Sequence, residues 1–375
     1  MNHLSDFGSL GGVQTYLCSL AKFKKNKIKL YSFTKPLKIY NANNSKRLNI
    51  KSLNVISFVN LIWSVNILHN LILSKKWIPY ILFHKLFRKK VVYHEHGIAW
   101  HNPDKNQIIY KKRMKDVDVI IVNSYASKKL LIEKYNIQKK INVLRSPIHL
   151  LEENKNNIKD DPYLKYNFKS LKSTKITIGF LGRLEKHKNP IYLIKVANYL
   201  KDKCGILVNL EFIGNGSEVE NLKRFAELSN IETNFLGLVE NRISIVKNWH
   251  FGIVPSFREP LGLVQGEMAL MGTICLASEI DGIPELYPDS CNYLKIKMLK
   301  REKINSEFHN YQYVPSLNRF SRGLEPEVKD CSEKIAFLIK NPKILKKLLN
   351  DHRIFLKNNF SIQSHFESLQ KIIYR

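Results

Sequence analysis

Residues 256–286 have the sequence SFREPLGLVQGEMALMGTICLASEIDGIPEL. They follow the apolar run FGIVP at 251–255, and they contain a second apolar run, TICLA, at 273–277. Apolar runs separated by a helical segment predict buried parallel strands covered by helices. Ligands bind such sheets at the carboxyl ends of the strands, so the residues after 255 are expected at a binding edge.

Two glutamates of this stretch are candidates for binding a sugar. Glu259 lies on the predicted loop and Glu267 on the following helix, with seven residues between them. Carboxylates there can accept hydrogen bonds from paired hydroxyl groups. Between them, the backbone of Leu261, Gly262 and Leu263 lies at a helix N-terminus, where N–H groups bind anions. The alternative is an ordinary amphipathic helix with a solvated Glu259, and the flanking PS, MG and GIPEL motifs argue against it.

Another apolar run, earlier in the chain, is followed by two candidate cations. In IGFLGRLEKHKNP, residues 178–190, Arg183 and Lys188 follow the strand. Two fixed cations at a strand end can balance a diphosphate without a metal. In FIGNGSEVENLK, residues 212–223, Gly214 and Gly216 are expected to line a nucleotide pocket, or else to form a simple turn between strand and helix.

The first half of the chain offers weaker motifs. Gly12 ends a glycine-rich stretch before a helical pattern, where it can approach a phosphate or form only a turn. In VVYHEHG, residues 91–97, two histidines flank Glu95. Because alternate strand residues point to opposite faces, these three need an irregular bend to share a metal. We therefore predict a substrate contact by His96 at the strand end, with a structural histidine as the alternative, and no metal site.

The order of patterns predicts repeated strand and helix units. Strands are expected at 27–32, 65–69, 90–94, 117–123, 141–144, 176–181, 208–213, 234–236, 251–255 and 273–277. The polar stretch 150–173 is the expected domain boundary. The charged segment 295–329 is expected to be a surface excursion or a mobile loop, and 341–375 to form two helices with a cap at Phe360–Ser361.

The charge of the chain is strongly positive and uneven. The 375 residues include 61 Lys and Arg against 32 Asp and Glu, and residues 1–150 hold 27 against 6. The segment 71–90, LILSKKWIPYILFHKLFRKK, has the composition of a helix lying on an anionic membrane, although a lysine-rich solvated surface is the alternative. No zinc finger, aromatic ribonucleoprotein motif or basic recognition helix points to nucleic acid.

Two further patterns bear on the compartment. The uncharged stretch 52–74 is long enough to cross a bilayer, but its asparagines and histidine are costly in lipid, so a helix, a strand and a second helix are expected. Five scattered cysteines without a C-x-x-C pair indicate a reducing compartment and no zinc knuckle. The polar first residues do not support secretion.

These motifs, in this order, resemble the GT-B glycosyltransferases, most closely the retaining glycosyltransferase family 4, or group 1. The matching segments run from Gly11-Gly12 through HEHG, NSYASKKL, GRLEKHKNP, FIGNGSE, FLG and the E-x7-E segment to FSIQSHFESLQKIIY. The resemblance implies an α/β fold with two Rossmann-like domains of parallel sheets facing a central cleft. The expected parts are an acceptor-side domain at 1–160, a nucleotide-sugar domain at 170–355 and a C-terminal helix at 356–375 that crosses back onto the first domain.

The resemblance also implies roles for the candidate residues. Arg183 and Lys188 would hold the donor diphosphate, Glu267 the ribose and Glu259 the transferred sugar. His96 would line the reaction centre, and Gly12 would approach the phosphates. Such enzymes need no metal or other cofactor and retain the anomeric configuration through same-face attack and an oxocarbenium-like state, in which the leaving phosphate helps to deprotonate the acceptor.

One departure affects the N-terminus. The family has an apolar strand before the glycine loop, whereas only MNHLSDFGSL precedes Gly11-Gly12, so the first strand is expected to be missing or truncated.

The favoured function is a cytoplasmic transferase, peripheral on the inner face of the membrane, which moves a sugar from a nucleotide donor to a lipid-linked, oligosaccharide or surface-polysaccharide precursor. The alternatives are a GT-B nucleotide-sugar epimerase and an inactive GT-B-like scaffold that binds the membrane.

Overall fold

The computed structural model describes residues 1–7, 12–24, 27–36, 50–52, 61–101, 103–148, 175–301 and 311–374. Internal contacts divide the chain into two compact units, which we call unit 1, Met1–His149 with Phe360–Arg375, and unit 2, Leu150–Asn359. The stretch 150–173, expected as the domain boundary, lies outside the described residues.

Unit 1 contains a seven-stranded parallel sheet. Its strands are β1 (Asn2–Ser5), β2 (Lys29–Ser32), β3 (Ile50–Ser52), β4 (Asn66–His69), β5 (Val92–Glu95), β6 (Val119–Val122) and β7 (Ile141–Val143). They lie in the order β3-β2-β1-β4-β5-β6-β7, which reverses direction between β1 and β4. The helices that the described residues of unit 1 form between these strands include α1 (Gly12–Phe23), α2 (Trp77–Leu86), α3 (Pro103–Met114) and α4 (Tyr125–Glu133).

The sheet of unit 2 is also parallel and has six strands. These are β8 (Ile176–Leu181), β9 (Val208–Ile213), β10 (Thr233–Gly237), β11 (Phe251–Val254), β12 (Ile274–Ser278) and β13 (Lys295–Ile296), in the order β10-β9-β8-β11-β12-β13. The direction of winding reverses between β8 and β11. The helices are α5 (Tyr192–Cys204), α6 (Val219–Ser229), α7 (Arg242–Val246), α8 (Val264–Leu270), α9 (Val328–Lys340) and α10 (Pro342–Asn359). The prediction of two α/β parts with parallel sheets is confirmed.

The last helix, α11 (Ile362–Tyr374), belongs to unit 1. Ser361 Oγ caps it by accepting the Ser364 N–H at 3.2 Å. Its apolar face packs into the same core as α1, because Phe366 and Leu369 join Leu17 and Leu20 in one buried cluster. The polypeptide therefore leaves unit 1, forms unit 2 and returns.

The expectation of a missing first strand is wrong. Residues Asn2–Ser5 form β1, which pairs with both β2 and β4 in the middle of the sheet. The strand was hard to recognise because most of its buried side chains are polar. Asn2 Nδ2 donates to Asn66 Oδ1 at 2.8 Å, and His3 Nδ1 lies 2.9 Å from His69 Nε2.

The segment 295–329 is more regular than expected. Besides β13 it contains two antiparallel pairs, β14 (Met298–Lys300) with β17 (Leu324–Pro326), and β15 (Gln312–Val314) with β16 (Arg319–Ser321). Residues 302–310 lie outside the described part of the chain. Gln312 Nε2 donates to Phe257 O at 3.0 Å, so this segment supports the loop after β11.

In the described part of the chain, no helix combines the length and the apolar character needed to cross a membrane. Within the uncharged stretch 52–74, the strand β4 covers residues 66–69, and residues 53–60 lie outside the description.

Backbone contacts tie together the loops at the carboxyl ends of β8, β9 and β10. Gly182 N donates to Ile213 O at 2.9 Å, and Gly214 N donates to Gly237 O at 2.8 Å. Gly214 has a φ of +139°, and a Cβ on it would lie 1.8 Å from Gly182 O. Only glycine therefore fits between these two loops.

We predict that Gly214→Ala lowers the free energy of unfolding by at least about 3 kcal/mol, because backbone strain and a backbone collision act together. Gly205→Ala is the matched control, since Gly205 has a φ of +66° and a Cβ on it would meet no atom within 4 Å. The control should cost about 1 kcal/mol. Urea denaturation followed by circular dichroism measures both, and equal losses would contradict the proposed collision.

Candidate functional site

The candidate site of unit 2 lies where the sheet reverses its winding. β8 and β11 are neighbours at that point, and their carboxyl ends lead into the loops that carry Lys188 and Glu259. Crevices at such reversal points are the usual ligand sites of open α/β sheets. Phe257 N donates to His187 O at 2.9 Å, which holds the two loops together.

Lys188 and Glu259 form an ion pair across these loops. The side chains are 20% and 14% exposed, so the pair is partly shielded from water. Lys188 closes a short 3-10 turn, Lys186–Lys188, directly after β8. The charges of both predicted residues are thus matched to each other.

Glu267 forms a second pair, with a residue that the sequence analysis missed. Glu267 Oε2 lies 3.2 Å from the Arg242 guanidinium, and the glutamate side chain is only 8% exposed. Arg242 is the first residue of α7, whose N-cap Asn241 accepts the Ser244 N–H at 3.3 Å. An arginine at the start of a five-residue helix has no distinctive sequence pattern, so only the fold reveals its partner.

The loop between the two glutamates is tightly folded. The Leu261 side chain is buried, and Leu263 is the residue before α8. Gly262 has a φ of +71°, and a Cβ there would lie 2.6 Å from Glu259 Cγ. Glycine at this position lets the loop fold against Glu259.

Asp281 was also missed, although it lies in the same stretch, 256–286, as both glutamates. It is fully buried, and its two carboxylate oxygens accept the Glu259 and Tyr313 N–H groups at 2.9 Å each. Burial raises the pKa of the Asp281 carboxyl to about 7, opposed by the neighbouring Arg258. Asp281 therefore fixes the backbone of Glu259, and its place after the apolar strand β12 is the sequence feature that could have revealed it.

The other residues that were predicted to bind the sugar donor are not joined by ion pairs of this kind. Arg183 follows β8, is exposed and forms no ion pair within the described ranges. Gly216 follows β9, and a Cβ on it would lie 2.3 Å from Leu184 O, so close backbone packing accounts for Gly214 and Gly216 without a ligand. Gly12 lies in unit 1, at the exposed start of α1, and the preceding residues 8–11 lie outside the description.

His96 of unit 1 lies just after β5, within a group of histidines. Its Nε2 is 2.9 Å from His69 Nδ1, and its backbone N–H donates to Asn70 Oδ1 at 2.8 Å. Burial lowers the pKa of His96 to about 3, with a further contribution from His365, so the imidazole is neutral near pH 7. A neutral imidazole offers one donor and one acceptor.

Glu95 does not join this group. Its carboxylate accepts the Tyr93 hydroxyl at 2.7 Å and the Gly97 N–H at 2.6 Å. As expected from strand alternation, Glu95 points away from the neighbouring histidines, and its role is to hold the turn after β5.

We predict that Asp281 makes stability fall with rising pH. From its ordinary pKa of 3.8 up to about 7, the unfolded chain ionises this carboxyl while the folded chain keeps it protonated. The unfolded state then binds fewer protons than the folded state, so the contribution of Asp281 to the free energy of unfolding declines as the pH rises through this window. The free energy of unfolding of Asp281→Asn, measured from pH 4 to 8, should therefore depend less on pH than that of the wild type.

The exposed Asp289→Asn serves as the control for the loss of one carboxyl group. A slope for Asp281→Asn equal to that of both wild type and control would contradict the raised pKa.

Residues 164–292 match the family described as Glycosyl transferases group 1. A curated relative, an uncharacterized glycosyltransferase of Methanocaldococcus jannaschii, is 27% identical over 77% of this chain and 69% of its own length. An uncharacterized 41.2 kDa protein in the cps region of Klebsiella pneumoniae is 28% identical over 53% of this chain and 54% of its own length.

Among solved structures, Anabaena HepE in complex with UDP-glucose superposes with a TM-score of 0.72, covering 99% of both chains at 15% sequence identity. At that identity the likeness shows the fold. The matched segment and the curated relative support a glycosyltransferase of group 1, and the likeness to this structure together with the two parallel sheets shows a GT-B fold.

Proposed function

We propose that this glycosyltransferase moves a hexose from a nucleoside-diphosphate sugar to a lipid-linked, oligosaccharide or surface-polysaccharide precursor, retaining the anomeric configuration. The observation that carries the proposal is the pairing of Lys188 with Glu259 and of Glu267 with Arg242 in unit 2. Lys188 and Glu259 follow the two strands between which the winding of the sheet reverses. A diphosphate needs cations, and a sugar needs hydrogen-bond acceptors.

Donor binding would exchange the partner of Lys188. A diphosphate carries more negative charge than one carboxylate, so it competes with Glu259 for the ammonium group. Glu259 is then released to accept hydroxyl hydrogen bonds from the transferred sugar, while Asp281 keeps its backbone in place. Arg183, which is exposed beside the same strand end, would supply a second cation for the phosphates.

Glu267 would accept the ribose hydroxyls, with Arg242 orienting its carboxylate. The backbones of Leu261, Gly262 and Leu263 would contact the sugar or the phosphates, and Gly214 and Gly216 would form the wall of the nucleotide pocket. Gly12 keeps its proposed approach to the phosphates.

The proposed chemistry uses no protein nucleophile, no resident metal and no other cofactor. The bond between the anomeric carbon and the phosphate oxygen breaks as the acceptor oxygen attacks from the same face through an oxocarbenium-like state. The leaving phosphate takes the proton of the acceptor hydroxyl, so the charges and protons balance. For His96 we propose contact with the reaction centre as a neutral imidazole.

Similar proteins support the two substrate classes. The Anabaena structure contains UDP-glucose, which supports a nucleotide sugar as donor. The Klebsiella relative belongs to a cps region, which supports a polysaccharide precursor as acceptor.

The helix α2 supports a membrane-bound acceptor and a peripheral location on the inner face. Ile78, Leu82 and Leu86 recur every fourth residue and are exposed, so they form one apolar stripe on the helix. Exposed basic residues flank it: Lys75, Lys76, Lys85, Arg88 and Lys90. An apolar stripe bordered by cations fits the surface of an anionic bilayer.

We predict that substitutions of Glu267 and Glu259 have different effects on nucleotide binding. Glu267→Gln should weaken binding of the nucleoside diphosphate by about 10- to 100-fold, because a charge-assisted hydrogen bond is lost. Glu259→Gln should leave that affinity unchanged or increase it, because Lys188 loses its competing partner, and should still slow sugar transfer. Calorimetry with UDP or GDP and a transfer assay with the matching nucleotide sugar measure the two effects.

Glu220→Gln is the control, since Glu220 is an exposed residue of α6 in the same unit. Wild-type nucleotide affinity in Glu267→Gln would contradict the ribose assignment. A loss of nucleoside diphosphate affinity in Glu259→Gln would contradict the competition for Lys188.

We predict that the full chain co-sediments with anionic vesicles and that salt weakens this binding. Leu86→Ser should reduce it, whereas Leu228→Ser should not, although the two leucines are 77% and 75% exposed. Equal binding to neutral vesicles, or equal loss in both variants, would contradict the role of α2 and favour a merely solvated basic surface.

A further inference from the structure

Five histidines of unit 1 lie together on and beside its central strands: His3, His69, His94, His96 and His365. His3 Nδ1 and His69 Nε2 are 2.9 Å apart, and His69 Nδ1 and His96 Nε2 are also 2.9 Å apart. At one side, the Tyr16 hydroxyl lies 2.9 Å from His365 Nε2. These contacts connect β1, near the start of the sequence, and α11, near its end, to one cluster of imidazoles.

His94 is the member with neither ring nitrogen hydrogen-bonded, whereas His3 lacks a partner only on Nε2. His94 is fully buried, and neither ring nitrogen has a partner among the residues that the structure describes. Its ring centroid lies 3.9 Å from that of His96 and 5.3 Å from that of His69, so it belongs to the cluster. Every neutral imidazole carries an N–H group and a lone pair, and leaving both buried without partners is unfavourable.

The spacing of the nitrogens suits a metal ion. One nitrogen from each of His69, His94 and His96 lies within 4.8 Å of the other two. In a tetrahedral zinc site, bonds of about 2.0–2.1 Å place neighbouring nitrogens about 3.3 Å apart. His69 and His96, at 2.9 Å, need to open slightly, and the broad χ2 torsion of His94 allows its ring to turn inward.

The surroundings also suit neutral nitrogen ligands. Burial lowers the pKa values of His69 and His94 well below the ordinary value, so both are unprotonated near pH 7. His3 contacts the second nitrogen of His69 and would fix the ring of a ligand in the way that outer partners of metal sites do. Nitrogen donors select zinc, cobalt, nickel and copper over magnesium and calcium.

We propose that His69, His94 and His96 form a three-histidine site for a divalent transition-metal ion, of which Zn²⁺ is the natural probe. The ion replaces the proton shared between His69 and His96 and gives His94 a partner. His69 then carries its proton on Nε2, towards His3, and His96 carries its proton on Nδ1, so three neutral imidazoles bind the ion without releasing protons. The site lies in unit 1. It shares His96 with the proposed contact to the reaction centre and uses none of the donor-binding residues proposed in unit 2.

Titration calorimetry with Zn²⁺ on the chelator-treated full chain tests this site. The wild type should bind one ion at the site, and His94→Gln should lose at least about tenfold in affinity, because a ligand contributes no less than an outer partner does. His84→Gln is the matched control: His84 is also buried in unit 1, but it contacts Tyr80 O at 3.0 Å and Asn66 Nδ2 at 3.2 Å. This control should bind Zn²⁺ like the wild type, and Mg²⁺ should not compete.

X-ray absorption on the unmodified chain with one equivalent of Zn²⁺ keeps the test decisive if His94→Gln fails to fold. A first shell of nitrogen and oxygen with imidazole scattering supports the site. Sulfur in the first shell would assign the ion to the cysteines and overturn the proposal. Absence of Zn²⁺ binding in the wild type, or unchanged affinity in a folded His94→Gln, would overturn it as well.

Discussion

The ion pair between Lys188 and Glu259 joins the two loops at the winding reversal of unit 2, and the surrounding structure keeps it in place. Asp281 accepts the Glu259 N–H, and Gly282 N donates to Glu259 O at 3.1 Å. The antiparallel pairs of 298–326 in turn hold Asp281 through Tyr313. Partly shielded charges need partners of similar strength, so a ligand can separate this pair only by replacing what each member loses. A nucleotide sugar can supply both partners, because its diphosphate can bind Lys188 and its sugar hydroxyls can bind Glu259.

Unit 1 shows a different use of polar groups. Its central strand β1 is buried among neighbours that match it with polar side chains, Asn2 with Asn66 and His3 with His69. Hydrogen bonds in such a site are strong because little water competes with them, and an unmatched member such as His94 is correspondingly unfavourable. The same feature that conceals β1 in the sequence therefore creates the candidate metal site.

Sequence patterns predicted the apolar part of the structure well. The bounds of β8 and β9 agree with prediction because β8 is a largely apolar run and β9 begins with apolar residues at alternate positions, and both patterns are typical of strands. The same patterns placed Lys188 and Glu259 at strand ends, which the structure brings into contact. They missed β1, whose burial depends on partners 64 residues away, and Arg242, whose contact with Glu267 arises only when α7 and α8 are folded. The three-residue strands of 298–326 are too short for any periodicity to appear.

Donor binding should separate Lys188 from Glu259, and a crystal structure of the chain with an intact nucleotide sugar tests this exchange most directly. We expect Lys188 Nζ on the diphosphate, the Glu259 carboxylate on the transferred sugar and Glu267 on the ribose. A bound nucleotide sugar with the Lys188–Glu259 pair still closed, or a nucleotide seated away from both residues, would contradict the exchange.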